Sequence, residues 1–227
     1  MFITPTAAPC EEIHDTVLKE KDVRLWVKRE DLLHPTISGN KWRKLRYNFL
    51  EAKTEGKDTI LTFGGAFSNH IYATAAAASE NGFKSIGIIR GEAHQPLNST
   101  LRFAESQGMK LVYMDRETYR KKSSAEVIAN LRKNYGSFYL VPEGGTNFQA
   151  IKGCAEIVKE IEFDYDFICS AVGTGGTLAG LITGLDSPDK NVLGFSALKG
   201  DFHETDVQNL ISSFGKSYSC GWNVIQK

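Results

Sequence analysis

Apolar runs of strand length alternate with amphipathic stretches along most of the chain. The runs predict strands over 23–30 (VRLWVKRE), 59–63 (TILTF), 84–91 (KSIGIIRG), 110–115 (KLVYMD), 137–141 (SFYLV), 166–172 (DFICSAV) and 192–197 (VLGFSA). Helical patterns lie between them, at 41–55, 69–81, 97–107, 118–134, 148–161, 177–185 and 203–214. Alternation of this kind marks an α/β protein with a mostly parallel sheet. Several strands are nearly continuous hydrophobic runs, as expected where helices cover both faces. No repeat, low-complexity tract or long linker interrupts the pattern, so a second domain is expected to be interwoven with the first.

Composition narrows the function without naming it. The 227 residues carry 27 Lys plus Arg and 27 Asp plus Glu, a formal net charge of zero, which argues against a general nucleic-acid binder. No apolar run reaches the ~18 residues of a membrane span, and the start, MFITPTAAPCEE, lacks the basic and apolar regions of a secretory signal. Cys10, Cys154, Cys169 and Cys220 are scattered without metal-ligand spacing. They read as reduced thiols of a cytoplasmic protein.

Ligands of open α/β sheets bind at the carboxyl ends of the strands, and three loops there carry chemistry. In AVGTGGTLAG (171–180), Gly173, Gly175 and Gly176 allow close backbone approach, while Thr174 and Thr177 add hydroxyl donors. A strand, a Gly/Thr loop and a helix start together suit a phosphate monoester. The dinucleotide pattern fails because Leu178 stands where its third glycine would be, and no Gly-Lys-Ser/Thr follows for a Walker loop. A tight turn without a ligand is the plainer alternative.

In LTFGGAFSNHIYATAAAA (61–78), Ser68, Asn69 and His70 open an alanine-rich helix. Ser68 or Asn69 reads equally as a simple N-cap, and the G-x-S-x-G hydrolase elbow is not matched. The third loop is HPTISGNKWRKL (34–45), where Lys41 is expected at the start of a helix, a position that disfavours cations. Lys41, Arg43, Lys44 and Arg46 could be a solvated basic face. A partly buried lysine among other cations would instead lose its proton readily, and a neutral amine attacks aldehydes. A reactive lysine and a phosphate cradle in one protein point to pyridoxal 5′-phosphate.

LWVKREDLLHPTISGNKWRKLRYN, TFGGAFSNH and GTGGTLAG together resemble the family of 1-aminocyclopropane-1-carboxylate deaminase and D-cysteine desulfhydrase, pyridoxal-phosphate enzymes of fold type II (tryptophan synthase β-like). The resemblance runs over essentially the whole chain. It implies that Lys41 bonds the cofactor aldehyde and moves the α-proton, and that Asn69 hydrogen-bonds the phenolic oxygen. It places Ser68 at the substrate's amino or carboxylate group, with His70 in the same loop. Gly173, Thr174, Gly175, Gly176 and Thr177 match the phosphate loop, and Lys44 a basic residue near the phosphate. Glu143 to Thr146, in VPEGGTN, match a family loop whose role the sequence does not give.

The implied fold is two interwoven open parallel-sheet domains, a small one over 45–160 and a large one combining 1–44 with 161–227. The implied reaction is a lyase or deaminase step on a small amino acid. D-cysteine β-elimination stands first and ring-opening of 1-aminocyclopropane-1-carboxylate second, because the latter uses groups beyond the final SYSCGWNVIQK stretch. That stretch reads as a strand, and an unpaired edge there would favour self-association. Homodimerisation follows from the resemblance alone. A cofactor-poor remnant of such an enzyme and a phosphosugar or nucleotide binder using only the 173–177 loop are the competing readings.

Overall fold

The computed structural model describes residues 7–197 and 203–226; the ends of the expected large domain lie outside them. The chain opens on an antiparallel hairpin, β1 (Cys10–Ile13) and β2 (Leu25–Lys28), joined through a short helix α1 (Thr16–Glu20). β2 is the inner half of the strand expected at 23–30. Its partner escaped the sequence reading because CEEI is short and half acidic, and becomes a strand only by pairing Cys10 with Lys28 and Ile13 with Leu25.

Helix α2 (Asn40–Thr54) follows, one residue earlier than expected, so Lys41 is its second residue. Gly39 precedes it at φ 64°, a left-handed turn that glycine takes without strain. Trp42, Leu45, Phe49 and Ala52 recur at helical spacing and are buried.

A four-stranded parallel sheet comes next: β3 (Thr59–Gly64), β4 (Lys84–Arg90), β5 (Met109–Met114) and β6 (Tyr139–Val141), in the order β5-β4-β3-β6. All six residues of β3 are buried, as a central strand covered on both faces requires. Between β3 and β4 runs α3 (Asn69–Glu80), whose Ala73 and Ala75 to Ala78 are all buried. One side of it meets Trp42 and Phe49 of α2, and the other meets Leu101 of α4 (Ser99–Ser106) and Met109. Small side chains let α3 lie close to both.

The helix expected over 118–134 is two helices, α5 (Arg116–Arg120) and α6 (Ala125–Tyr135). Asp115 caps the first by accepting from the Glu117 and Thr118 amides, and Ser124 caps the second through Val127. Local caps thus divide a continuous periodic pattern. The helix expected over 148–161 also shortens. α7 (Phe148–Cys154) stops and a 3₁₀ turn, Ile157–Glu160, completes the span.

The second parallel sheet has the order β7 (Phe167–Val172), β8 (Asn191–Ser196), β9 (Gly221–Ile225). Helices α8 (Gly176–Gly184) and α9 (His203–Phe214) cover the face built from Val172, Val192 and Val224. The opposite face leaves Phe167, Phe195 and Ile225 exposed. β7 and β9 are its edges among the described residues. No described helix is long and apolar enough to cross a membrane.

α7 sits between the two halves. Its Ile151 and Cys154 belong to the core of the second sheet, while Gly153 lies against the backbone of α2. Gly180 of α8 approaches Cys154, and Gly184 approaches Ala155, at distances a Cβ would violate. Three glycines therefore set the spacing of α2, α7 and α8, and the starts of α2 and α8 border the site.

Candidate active site

A cleft of about 260 Å³ opens where α2, α3 and α8 begin, lined among others by Lys41, Lys44, Ser68, Asn69, His70 and Thr177. Gly173, Thr174 and Gly175 form its opposite wall. The three loops singled out in the sequence, more than 100 residues apart at their extremes, thus share one space at the carboxyl ends of β3, β6 and β7.

The four cations of the opening helix do not form one basic face. Arg43 is buried and bound by two carboxylates, Glu30 (2.9 Å) and Glu160 (2.6 and 2.7 Å), with Lys28 joining the same pair of acids. Arg46 pairs with Glu156 on the other flank. Only Lys41 and Lys44 turn toward the cleft. Lys41 Nζ donates to Asn40 Oδ1 at 3.0 Å. Burial holds its pKa below the usual lysine value, while the nearby Cys154 thiol works the other way. Burial, rather than its position near a helix start or its cationic neighbours, is thus the chief reason its amine is driven toward the neutral form.

Lys44 is buried, and its Nζ donates to Gly144 O (3.2 Å) and Thr146 Oγ1 (3.1 Å). Burial, and then the charge of Lys41, lower its pKa to about 8. Among the described residues no carboxylate pairs with it. A buried cation without a counter-charge calls for an anion. The start of α8 faces it: a Cβ built on Gly176 would stand 3.2 Å from Lys44 Nζ and 2.8 Å from Thr146 Oγ1.

The 143–146 loop, whose purpose the sequence left open, is part of this cradle. Gly144 and Gly145 take φ 68° and 73° in succession, which turns the Gly144 carbonyl onto Lys44. Any side chain at Gly144 would strike Thr174, and one at Gly145 would meet His70. Thr146 and Thr174 share a hydroxyl–hydroxyl hydrogen bond of 2.5 Å that joins this loop to the 173–177 loop. The consecutive glycines of PEGGTN were the available signal. Asn40 was likewise missed; its Nδ2 donates to Thr177 Oγ1 at 2.8 Å.

On the remaining wall, Ser68 caps α3, its Oγ accepting from the His70 (3.2 Å) and Ile71 (3.4 Å) amides. The hydroxyl hydrogen is left to donate. Asn69, the first residue of α3, is exposed to the cleft. His70 borders the cleft, but its ring is buried and turned toward β3, with Nε2 2.7 Å from Thr62 Oγ1. Thr62 Oγ1 also donates to Val141 O at 2.8 Å, and the His70 ring has a further hydrogen bond to the Pro142 backbone. Burial, and then Lys41 and Lys44, keep the ring well below its usual pKa. It is a neutral, committed histidine.

An α/β fold of two parallel sheets with an unprotonated-leaning lysine and an anion cradle in one cleft defines a protein built to hold a phosphorylated aldehyde. The comparisons supply the family. Residues 3–209 match the family model described as pyridoxal-phosphate dependent enzyme, and the chain belongs to that family. It is 31% identical over 200 residues to a Pyrococcus horikoshii protein that carries a provisional name as 1-aminocyclopropane-1-carboxylate deaminase. That match takes in 86% of this chain and 61% of the relative. It is 30% identical over 233 residues to the Arabidopsis thaliana mitochondrial bifunctional D-cysteine desulfhydrase/1-aminocyclopropane-1-carboxylate deaminase, covering 86% of this chain and 58% of the relative. The crystal structure of an ACC deaminase homologue superposes with a TM-score of 0.85 at 28% identity, over 98% of this chain and 72% of that one. The chain therefore has the fold type II architecture and spans roughly three fifths of the length of these curated relatives.

The residues present fit the family's cofactor. Lys44, the α8 N-terminus and the Thr146 and Thr174 hydroxyls make a site suited to an anion, and Lys41 places an amine in the same cleft. No group of His, Cys, Asp or Glu among the described residues could hold a metal ion.

Proposed function

We propose that this chain carries the catalytic site of a pyridoxal-phosphate lyase acting on a small amino acid, with D-cysteine β-elimination as the reaction: D-cysteine and water give pyruvate, hydrogen sulfide and ammonia. The observation that carries it is the pair Lys41 and Lys44, one turn apart on α2, the first half-buried and the second buried, and neither paired with a carboxylate among the described residues. The names of the relatives support the substrate class. The same names favour a second reading, hydrolytic ring-opening of 1-aminocyclopropane-1-carboxylate to 2-oxobutyrate and ammonia.

When bound, pyridoxal phosphate supplies an aldehyde that bonds amines and a ring that accepts the electron pair left at Cα. The chain's own groups do the rest. Lys44, the Gly173 to Gly176 backbone, Thr174 and Thr177 hold the phosphate; the helix dipole of α8 adds to this attraction. Lys41 Nζ would take up the proton at the substrate's Cα and could return it. The Ser68 hydroxyl, the Asn69 amide and the positive end of α3 orient the substrate's carboxylate and the ring oxygen. His70, neutral and bound to Thr62, forms the wall behind them.

A second part of the proposal is a homodimer in a reducing, cytoplasmic setting. The exposed Phe167, Phe195 and Ile225 and the four free cysteines support it. Light scattering of the purified chain tests the dimer. For the activity, adding pyridoxal phosphate to the colourless protein is expected to produce a visible absorbance band that Lys41→Ala abolishes. Pyruvate release from D-cysteine and 2-oxobutyrate release from 1-aminocyclopropane-1-carboxylate then separate the two substrates. A protein that stays colourless sinks both.

A further inference from the structure

Two helix starts face each other across the cleft, and one side chain joins them. Asn40 is the first residue of α2 and Thr177 the second of α8. Asn40 Nδ2 donates to Thr177 Oγ1 at 2.8 Å, while Asn40 Oδ1 accepts from Lys41 Nζ at 3.0 Å. A primary amide suits this place because its oxygen only accepts and its nitrogen only donates. The two contacts fix which way round the amide lies.

The lysines of α2 are therefore held by different parts of the fold. Lys44 is held by the 143–146 loop. For Lys41 Nζ, Asn40 is the hydrogen-bond partner found among the described residues. The partner's neutrality matters as much as its position. An aspartate would have the same shape, but would put a negative charge about 3 Å from the amine and beside the anion loop. It would favour the protonated amine and repel a phosphate.

We infer that Asn40 is a positioning residue that ties the Lys41 amine to the phosphate-binding loop through Thr177, so that the group bonding the aldehyde and the loop gripping the phosphate are set in register by one side chain. The inference rests on the reading of Lys41 as the aldehyde-bonding residue. It extends the catalytic machinery to two side-chain atoms that touch each other rather than the reacting carbon. Thr177 thereby gains a second task. Its oxygen accepts from Asn40, and its hydroxyl also hydrogen-bonds the buried Cys154 thiol.

The test uses the full chain and two probes, pyridoxal phosphate and pyridoxal, which lacks the phosphate. Each is trapped on the protein by borohydride, and the labelled lysine is located by mass spectrometry as a function of pH. Pyridoxal reports the amine alone, so the readout does not depend on turnover. Asn40→Ala and Thr177→Val are each expected to slow trapping at Lys41 about five- to tenfold, the size of one lost orienting hydrogen bond. The double variant should lose no more than the slower single, because both remove one tie. Thr177→Ser keeps the acceptor and should restore the rate. Asn40→Asp should move the pH–rate midpoint upward and weaken pyridoxal phosphate more than pyridoxal. These two near-isosteric variants preserve the test if Asn40→Ala fails to fold.

Additive losses in the double variant, a Thr177→Ser as slow as Thr177→Val, or an unmoved midpoint in Asn40→Asp would each overturn the coupling. If Lys41→Ala still traps both probes at the same rate, the reading of Lys41 falls and the inference with it. If Lys41→Ala abolishes trapping while the Asn40 and Thr177 variants match the parent, only the coupling falls.

Discussion

The carbonyl oxygen of Arg43 lies so close to Gly153 that a Cβ built there would stand 2.0 Å from it. The contact joins α2, which carries both lysines of the cleft, to α7, which belongs to the core of the second sheet. Backbone cannot swing aside as a side chain can, so the helices must separate. Gly153→Ala is expected to cost about 3 kcal/mol, at the upper end for overpacking. It should also weaken pyridoxal phosphate binding, because Lys44 moves with α2. Denaturant midpoints and a cofactor titration check the two effects. A variant as stable as the parent would show that the helices slide freely.

Arg43 also anchors α2 from its other side. Its guanidinium is almost fully buried between Glu30 and Glu160, both largely shielded from water. Arg43→Met leaves two carboxylates facing each other near Lys28 alone. Breaking a buried network in this way costs about 3–5 kcal/mol. Replacing Arg24, an exposed partner of Glu12, should leave stability nearly unchanged, because water screens the pair. Urea unfolding of both variants gives the contrast.

Lys44 makes stability depend on alkaline pH. Its folded pKa, about 8, lies below the unfolded lysine value of 10.5. Between those values the unfolded chain holds a proton that the folded chain has released, so stability rises with pH across that window. The contribution is about 3 kcal/mol, absent below pH 8 and complete above 10.5. Lys44→Met should flatten the rise. Inorganic phosphate should flatten it too, because a bound anion restores the lysine's charge. Unfolding free energies at several pH values, with and without phosphate, measure this.

His70 acts on the acid side. Its folded pKa is well below 6.5, so the unfolded chain binds a proton that the folded ring refuses. Stability is therefore lost as pH falls below 6.5. His70→Gln keeps a hydrogen-bonding amide for Thr62 and should remove this part of the acid limb while lowering stability at pH 7 by about 1 kcal/mol through poorer packing. An unchanged acid limb in this variant would place the titration elsewhere.

Much of the site was legible because its chemistry is concentrated in short runs. Gly173 to Thr177 follow an apolar strand, and Ser68 to His70 start an alanine-rich helix. The structure brings these runs to one cleft with Lys41 and Lys44. Elements whose pattern is strong and continuous, such as the buried β3, were equally plain. The strand β1 and the split between α5 and α6 were not. One depends on a partner 15 residues or so away, and the other on caps that compete with helical periodicity.

The sequence by itself determined the alternation of strands and helices, the loops able to meet a phosphate, and the presence of a lysine beside them. Those properties reside in local spacing and side-chain type. Only the tertiary structure decided which cations are spent on carboxylates. Arg43 and Arg46 find carboxylates more than 100 residues away in Glu160 and Glu156, whereas the half-buried Lys41 and the buried Lys44 pair with none among the described residues. Only it showed that Asn40 links the amine to the 173–177 loop, and that His70 is spent on Thr62. The physical reason is the same in each case. A charge or a proton is tuned by what lies within a few ångströms, and along this chain those neighbours come from distant segments brought together by the glycine-set contacts of α2, α7 and α8.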